Sequence, residues 1–350
     1  MASARNRLIE GMLAHYPFVL KNFRTYLSNI YRRKILGTNV VAPYSAIFYA
    51  THKCNLDCTY CTQKNPEVFS EELDTERTIE IFRRIRKDVD TLLITGGECL
   101  MRKDIEELVR AAKRDCGFRS VVMVTNGVLL DKRQPIFEHL NGLIVSLDAI
   151  THDPSEPMSK SAQIPKVLDN LMLAKSKLPP GAITLSCVLE LWNLDEAERI
   201  LEFCRQHDFQ FSVQSAQNNG KHPNFTYLKD ARYQAFVDKL IDMRKSGAAR
   251  INGTPKLLNT LLRFEEFKCY PTMFPRVYPN GDVFYPCEVL RKIAGNVLED
   301  GSISKAFKRG KKLYGETPAC KNNCFLFGNV LSSYYVEDFW GLAGDTVRRG

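Results

Sequence analysis

The sequence predicts an α/β fold, a partial (β/α)6 barrel followed by a small cysteine-rich C-terminal domain. From Tyr44 to about Lys245, short apolar runs rich in β-branched residues alternate six times with stretches of helical period, which is typical of parallel strands joined by helices. Six units are fewer than the eight that close a barrel, so we expect an open barrel. After about Pro255, prolines, glycines, aromatic residues and four cysteines replace this alternation.

Each unit is a predicted strand followed by a predicted helix. The strands are Ser45–Ala50, Thr91–Thr95, Ser120–Thr125, Gly142–Leu147, Ile183–Leu189 and Gln210–Gln214. The helices are Thr75–Lys87, Asp104–Cys116, Lys132–Leu140, Ile164–Lys177, Leu194–His207 and Asp230–Lys245. Asp74 and Asn193 mark the start of the first and fifth helices. The expected domains are an N-terminal segment (1–43), the barrel (44–250) and the C-terminal domain (251–350).

The N-terminal segment is basic, with no acidic residue between Glu10 and Asp57. Residues 17–34 predict an amphipathic helix. Its apolar face carries Pro17, Val19, Leu20, Phe23, Tyr26, Leu27, Ile30 and Tyr31, and its basic face carries Lys21, Arg24, Arg32 and Arg33. Such a helix can lie in the headgroup region of an anionic membrane or pack on the barrel, and both interpretations stay open here.

The composition is that of an ordinary folded protein, with 44% hydrophobic and 25% charged residues. No apolar run is long enough to span a bilayer and no signal peptide is evident, so we expect a cytoplasmic protein, with a peripheral membrane location as the alternative. The formal charge of +9 is too modest to predict nucleic-acid binding. Eleven cysteines, an odd number in a large chain, favour metal binding or redox chemistry over a disulfide framework.

Three cysteines, Cys54, Cys58 and Cys61, follow directly on the first predicted strand. In a loop, their thiolates can bind three corners of a cubane 4Fe–4S cluster and leave one iron open to another ligand. The loop lies at the carboxyl end of a strand, where barrels place their active sites. A zinc site is the alternative, but only Cys99 or His52 is near enough in the sequence to be its fourth ligand.

The spacing of these cysteines, with Tyr60 before the last one, resembles the CxxxCxΦC signature (Φ aromatic) of the radical S-adenosylmethionine (SAM) superfamily. Gly96, Gly97 and Glu98 after the second strand are similar to its GGE motif, whose loop binds the SAM amino group. The resemblance implies that the open iron chelates SAM, which is cleaved reductively to a 5′-deoxyadenosyl radical. It also implies that Tyr60 and the GGE loop belong to the cofactor site. Where the family usually has proline, Cys99 follows, and we expect a buried thiol there.

The next two strand ends also carry polar residues. Asn126 after the third strand, and Ser146 and Asp148 at the end of the fourth, resemble family positions near the SAM ribose and carboxylate. Ordinary turn chemistry is the alternative explanation for each of them. Glu190 and Gln214 are further candidates for lining the same mouth.

The C-terminal cysteines form a second candidate site. Cys269 and Cys287 flank the segment 279–286, which resembles the start of the SPASM/twitch extension of radical SAM enzymes. The resemblance implies that Cys320 and Cys324 complete an auxiliary 4Fe–4S cluster, and tetrahedral zinc is the alternative. The remaining cysteines, Cys116, Cys187 and Cys204, are expected in the core.

The sequence therefore predicts a radical SAM enzyme that modifies an unactivated carbon, with a flavodoxin or ferredoxin as its reductant. It names no catalytic residue. A lipid or isoprenoid substrate is the first hypothesis, because of the basic N-terminal helix. A peptide or small cofactor precursor is the second. A non-catalytic iron–sulfur electron carrier is the alternative from another class.

Overall fold

The computed structural model describes residues 23–58, 61, 71–151, 163–218, 222–316, 324–338 and 341. Six strands form the barrel wall: β1 (Ala46–Tyr49), β2 (Thr91–Thr95), β3 (Ser120–Thr125), β4 (Gly142–Ser146), β5 (Ile183–Leu189) and β6 (Gln210–Ser215). Further along the chain lie β7 (Gln217–Asn218), β8 (His222–Pro223), β9 (Arg276–Val277), β10 (Asp282–Phe284) and β11 (Ile293–Asn296).

The helices pack on the outside of this sheet. A first helix, α1, covers residues 23–34. The others are α2 (Thr75–Arg86), α3 (Ile105–Arg114), α4 (Ile164–Lys177), α5 (Leu194–His207), α6 (Ala231–Ser246), α7 (Pro255–Leu262), α8 (Val297–Asp300), α9 (Ile303–Tyr314) and α10 (Phe327–Glu337). Among the described residues, no helix is long and apolar enough to cross a bilayer.

The six predicted strands are confirmed, and each is parallel to the next from β1 to β6. Five of the six predicted helices are also confirmed. Asp74 caps α2 by accepting a hydrogen bond from the Arg77 amide at 2.8 Å. The helix predicted at Lys132–Leu140 is wrong, because short 3-10 turns occupy Leu130–Lys132 and Gln134–Glu138. Pro135 lacks the N–H of a helical ladder, and its ring would clash with the carbonyl one turn earlier.

The C-terminal strands extend the barrel sheet. The strand order is β11-β10-β9-β1-β2-β3-β4-β5-β6, and β7 and β8 pair separately. Strand β9 is parallel to β1, whereas β10 is antiparallel to both β9 and β11. The partial barrel is therefore continuous with the strands of the cysteine-rich C-terminal region, and the domain boundaries of the sequence analysis stay predictions.

The two faces of the sheet differ in exposure. Along β2, β3 and β4 every second side chain is buried, among them Leu92, Val121 and Leu143, and these belong to the main core under the helices. The alternate side chains are half-buried and point to the other face. Because a closed barrel fills its interior with side chains, this partial exposure indicates an open interior.

A buried arginine connects the end of β1 to the segment before α2 at the mouth of the barrel. Arg102, 5% exposed, donates to the Ala50 carbonyl at the end of β1 at 2.9 Å and to the Leu73 carbonyl before α2 at 2.8 Å. Its Nε donates to the Asp104 carboxylate at 2.7 Å. Burial raises the pKa of Asp104, but hydrogen bonds from Arg102 and Thr75 outweigh this effect and hold the pKa below its usual value.

We expect Asp104→Asn to lower the free energy of unfolding by about 3 kcal/mol at neutral pH, since it leaves a buried guanidinium without its counter-charge. Because the folded pKa of Asp104 is depressed, its stabilisation is present above the unfolded pKa and is lost as the pH falls through the folded pKa. The difference between variant and wild type should therefore shrink below pH about 4. Urea unfolding across this range measures it, and a difference independent of pH would contradict the assignment.

Candidate active site

The cysteine loop begins at the end of β1 and rests on two glycines at the end of β2. The Gly97 amide donates to the Thr51 carbonyl at 2.8 Å, and the Glu98 amide donates to the Lys53 carbonyl at 2.7 Å. A Cβ atom on Gly96 would lie 2.4 Å from the Thr51 oxygen, and one on Gly97 would lie 2.4 Å from the Lys53 oxygen. Both positions require glycine because the backbone of the cysteine loop fills the space of a side chain.

Glu98 joins β2 to β3 at the same edge. Its carboxylate is 1% exposed and accepts hydrogen bonds from the Thr125 hydroxyl and the Asn126 amide, each at 2.7 Å. It also accepts from the Leu100 amide at 3.0 Å and so caps the short turn Cys99–Met101. These hydrogen bonds connect the loops after β2 and β3. A direct contact between Glu98 and SAM stays a prediction.

The three thiols of the loop carry no disulfide bond. Cys54 is exposed, and Cys58 and Cys61 are half-buried. Burial raises the pKa of Cys54, and the charges of Glu98, Cys58 and Cys61 raise it further, which places these groups near one another. No three metal-ligating side chains among the described residues converge closely enough to hold a single ion. Three thiolates can bind three irons of a 4Fe–4S cluster and leave the fourth open, whereas structural zinc takes four protein ligands, so three cysteines on one loop fit the cluster better than zinc.

The other residues predicted for the cofactor site lie at or near the same edge. The Asn126 amide group donates to the Asn55 side chain in the cysteine loop at 2.8 Å. Ser146 is the last residue of β4 and is half-buried. Asp148 is 5% exposed, and its carboxylate accepts from the Val188 amide at 2.7 Å. Tyr60 lies outside the described residues. The roles of these four residues in binding SAM stay predictions.

The two further candidates lie near the carboxyl ends of the adjacent strands β5 and β6. Gln214 is half-buried on β6, on the face opposite to the core residues Phe211 and Val213. Glu190 follows β5 and begins the short turn Leu191–Asn193. Burial raises the pKa of its carboxyl, and the charge of Asp148 adds to this effect against a hydrogen bond from Trp192.

A buried ionic cluster on the inner face escaped the sequence analysis. Arg276 on β9 pairs with Glu288 at 3.2 Å, and these side chains are 10% and 20% exposed. Glu288, directly after Cys287, accepts a hydrogen bond from the Tyr49 hydroxyl on β1 at 2.7 Å. Tyr278 packs edge-on against both Tyr49 and His52 of the cysteine loop. The cluster connects the first cysteine site to Cys287, and no sequence signal could have found it, because its members lie on distant segments.

The structure describes three of the four C-terminal cysteines. Cys269 and Cys287 are half-buried and Cys324 is buried, whereas Cys320 lies outside the described residues. The auxiliary cluster on these four therefore stays a prediction. Cys187 and Cys204 belong to the main core and Cys116 packs against it, as predicted. Cys99 is also a core thiol, and its Sγ donates to the Val124 carbonyl at 3.2 Å. Burial raises the pKa of this thiol well above its usual value.

Comparison with known proteins places this site in a family context. Residues 48–204 match the family described as the radical SAM superfamily. The GTP 3′,8-cyclase of Chlorobaculum tepidum is 34% identical over 164 residues, which cover 45% of this chain and 49% of that protein. The GTP 3′,8-cyclase of Lactiplantibacillus plantarum is 36% identical over 168 residues, with coverages of 45% and 49%. The chain thus spans about half the length of the curated relatives it matches.

Solved structures share the fold over more of the chain. SuiB from Streptococcus suis bound to S-adenosylmethionine superposes with a TM-score of 0.62 at 16% identity, covering 91% of this chain and 74% of that one. The protein anSMEcpe with bound AdoMet superposes with a TM-score of 0.60 at 15% identity, covering 87% and 99%. At these identities the likeness establishes a common fold and no more.

Proposed function

We propose, from the match of residues 48–204 to the radical SAM superfamily, that the whole chain is an enzyme that cleaves SAM reductively and modifies a substrate held inside the open barrel. The observation that carries the proposal is the cysteine loop seated on Gly96 and Gly97 at the mouth. When bound, a 4Fe–4S cluster and SAM would supply a 5′-deoxyadenosyl radical there.

The residues at this site have separate roles. Cys54, Cys58 and Cys61 would hold three irons of the cluster and leave the fourth open to SAM. The backbone of the GGE loop fixes the cysteine loop, and Glu98 fixes the neighbouring loop after β3. Asn126, Ser146 and Asp148 contribute polar groups near the cofactor. A fixed, partly enclosed mouth is needed so that the radical reacts with substrate and not with solvent.

The inner face of the barrel favours an uncharged substrate. The side chains that alternate with the core residues on β1 to β6 are aliphatic, aromatic, hydroxyl or amide groups without a formal charge. Those on β2 to β6 near the mouth are Leu93, Thr95, Val122, Val124, Ile144, Ser146, Ser186, Val188, Ser212 and Gln214. The inward arginine of β9, Arg276, is paired with Glu288. A part of the substrate that enters here therefore meets no free charge from these strands.

This lining speaks against GTP, the substrate in the names of the curated relatives. A triphosphate carries several negative charges, and proteins bind such groups with arginine, lysine or a metal ion. Because those relatives match only about half of their length, their substrate does not transfer to this chain. A neutral lipid or isoprenoid chain fits the lining better. Peptide modification is the second candidate, because SuiB has been solved with a precursor peptide in this fold.

We expect a neutral polyprenol in detergent to raise the rate of 5′-deoxyadenosine formation above the background of the reconstituted protein, and GTP to leave it unchanged. Ile144→Ala removes apolar surface from the inner face at a half-buried position and should reduce the stimulated part about tenfold. Background cleavage should persist. Chromatography of the products measures all three rates. Stimulation by GTP, or equal stimulation of wild type and variant by polyprenol, would contradict the proposed substrate class.

A further inference from the structure

We propose that the outer face of α1 and the C-terminal end of α9 form one docking surface for an anionic membrane. We call it the α1–α9 surface, consisting of residues 23–38 and 303–315. The inference does not depend on the proposed chemistry, because it concerns residues away from the cysteine loop.

Helix α1 packs on the protein through a face that includes the polar residues Asn29 and Arg33. Asn29 is fully buried, and its side-chain oxygen accepts from the Ala42 amide at 2.7 Å. Arg33 contacts Glu337 on α10 and the Tyr270 hydroxyl. Four large apolar residues are each between 48 and 69% exposed: Leu27 and Tyr31 on α1, and Ile35 and Leu36 directly after it. A helix packed only for stability buries large apolar residues, so a group of four exposed ones indicates an external partner.

The end of α9 continues this exposed apolar area. Leu313 and Tyr314 are 58% and 36% exposed. Two residues later, Glu316 hydrogen-bonds the side chain of Thr38 and the backbone of Asn39. Because Thr38 follows Leu36 by two residues, this contact brings the two helix ends together. Six of the ten large apolar side chains that are exposed among the described residues therefore lie on these two segments.

The two segments of the α1–α9 surface are basic. Residues 23–38 contain four basic residues and residues 303–315 contain five, and neither segment has an acidic one. Three of these nine contact carboxylates: Arg33 contacts Glu337, Arg309 contacts Glu299 and Asp300, and Lys311 contacts Glu316. Arg24, Lys34, Lys308 and Lys312 are exposed beside the apolar side chains. Exposed basic residues therefore lie beside the exposed apolar ones, and together they are suited to a partner that is both negatively charged and apolar.

The mixture of lysine and apolar residues favours a membrane over a protein partner. The buried centres of protein interfaces are depleted in lysine, whereas the headgroup region of a bilayer accepts aromatic and aliphatic groups beside basic ones. Anionic headgroups attract each lysine or arginine near the surface. We therefore commit to an anionic lipid surface, and association with a second copy of the chain becomes an outcome that the test must distinguish.

The test is co-sedimentation of the full reconstituted protein with vesicles of phosphatidylglycerol and phosphatidylcholine, and with phosphatidylcholine alone. We expect binding to the anionic vesicles that weakens with added salt, and little binding to the neutral ones. The double variants Tyr31→Ser/Leu313→Ser and Lys34→Glu/Lys312→Glu should each weaken binding at least tenfold. All four positions are exposed, so iron content and background SAM cleavage should not change.

Matched controls come from other exposed positions, Met172→Ser on α4 for the apolar change and Lys245→Glu on α6 for the charge change. Both should bind like wild type. Failure of wild type to sediment with anionic vesicles, or equal losses in the control variants, would overturn the proposal. So would a dimer in solution that Tyr31→Ser/Leu313→Ser dissociates, because that result assigns the surface to a second copy. Intact background SAM cleavage in these variants separates failure of this inference from failure of the proposed function.

Discussion

Replacing Cys54, Cys58 and Cys61 together with alanine should lower the iron content of reconstituted protein from about eight to about four per chain. The remaining iron belongs to the auxiliary cluster predicted on Cys269, Cys287, Cys320 and Cys324. Formation of 5′-deoxyadenosine should fall to the level of buffer, because no open iron is left to chelate SAM. Iron analysis and electron paramagnetic resonance of the reduced protein measure the two effects separately.

Cys116→Ala is the control, since Cys116 is a half-buried thiol that packs against the core away from the cysteine loop. It should keep both the iron and the activity. Stoichiometric zinc together with only about four irons in wild type would overturn the auxiliary cluster but leave the first site standing. An unchanged iron content in the triple variant would contradict the first site itself.

Gly97→Ala should strongly lower the activity although it adds a single methyl group. Its Cβ would lie 2.4 Å from the Lys53 oxygen and 2.6 Å from the His52 oxygen, so the backbone of the cysteine loop must move. Displacement of the loop separates the thiols from their cluster geometry, and we expect a loss of about 100-fold in SAM cleavage, comparable with other small displacements of reacting groups. Assays of 5′-deoxyadenosine, with iron content measured in parallel, check this expectation.

Gly328→Ala provides the comparison, because the added Cβ would meet only ordinary contact, 3.9 Å from a ring carbon of Phe274. Near the start of α10 this change should be neutral or slightly stabilising. Equal activity in Gly97→Ala and Gly328→Ala would show that the loop tolerates displacement, and the structural explanation of the two glycines would be wrong.

The barrel could be predicted because each of its strands and helices is specified by a pattern of neighbouring residues. The alternation of buried and half-buried residues on β2 and β3 follows directly from the sequence, as does the Asp74 cap. Pro135 was a readable signal that the third helix would fail. The extension of the sheet by β9 to β11 was not predictable in this way, because pairing of β1 with β9 joins residues about 230 positions apart.

The candidate site likewise has parts that could be predicted from the sequence and parts that could not. The cysteine spacing and the two glycines are contiguous motifs, so the sequence identified them. The bonds that explain them are long-range, including Glu98 to Thr125 and the cluster of Tyr49, Arg276 and Glu288. Sequence reasoning placed the GGE loop at the SAM amino group, which stays a prediction, and the structure adds that the Glu98 carboxylate accepts a hydrogen bond from the neighbouring loop. For α1 it predicted a wholly apolar and a wholly basic face, but Arg33 turns inward and Leu27 outward.

The most direct test of the account is the fate of SAM on the anaerobically reconstituted protein in the presence of dithionite. We predict that 5′-deoxyadenosine accumulates with time in wild type and that Cys58→Ala forms none, while Cys116→Ala matches wild type. SAM recovered intact from wild type that carries a complete, reducible 4Fe–4S cluster on the cysteine loop would contradict the account and favour a non-catalytic electron carrier.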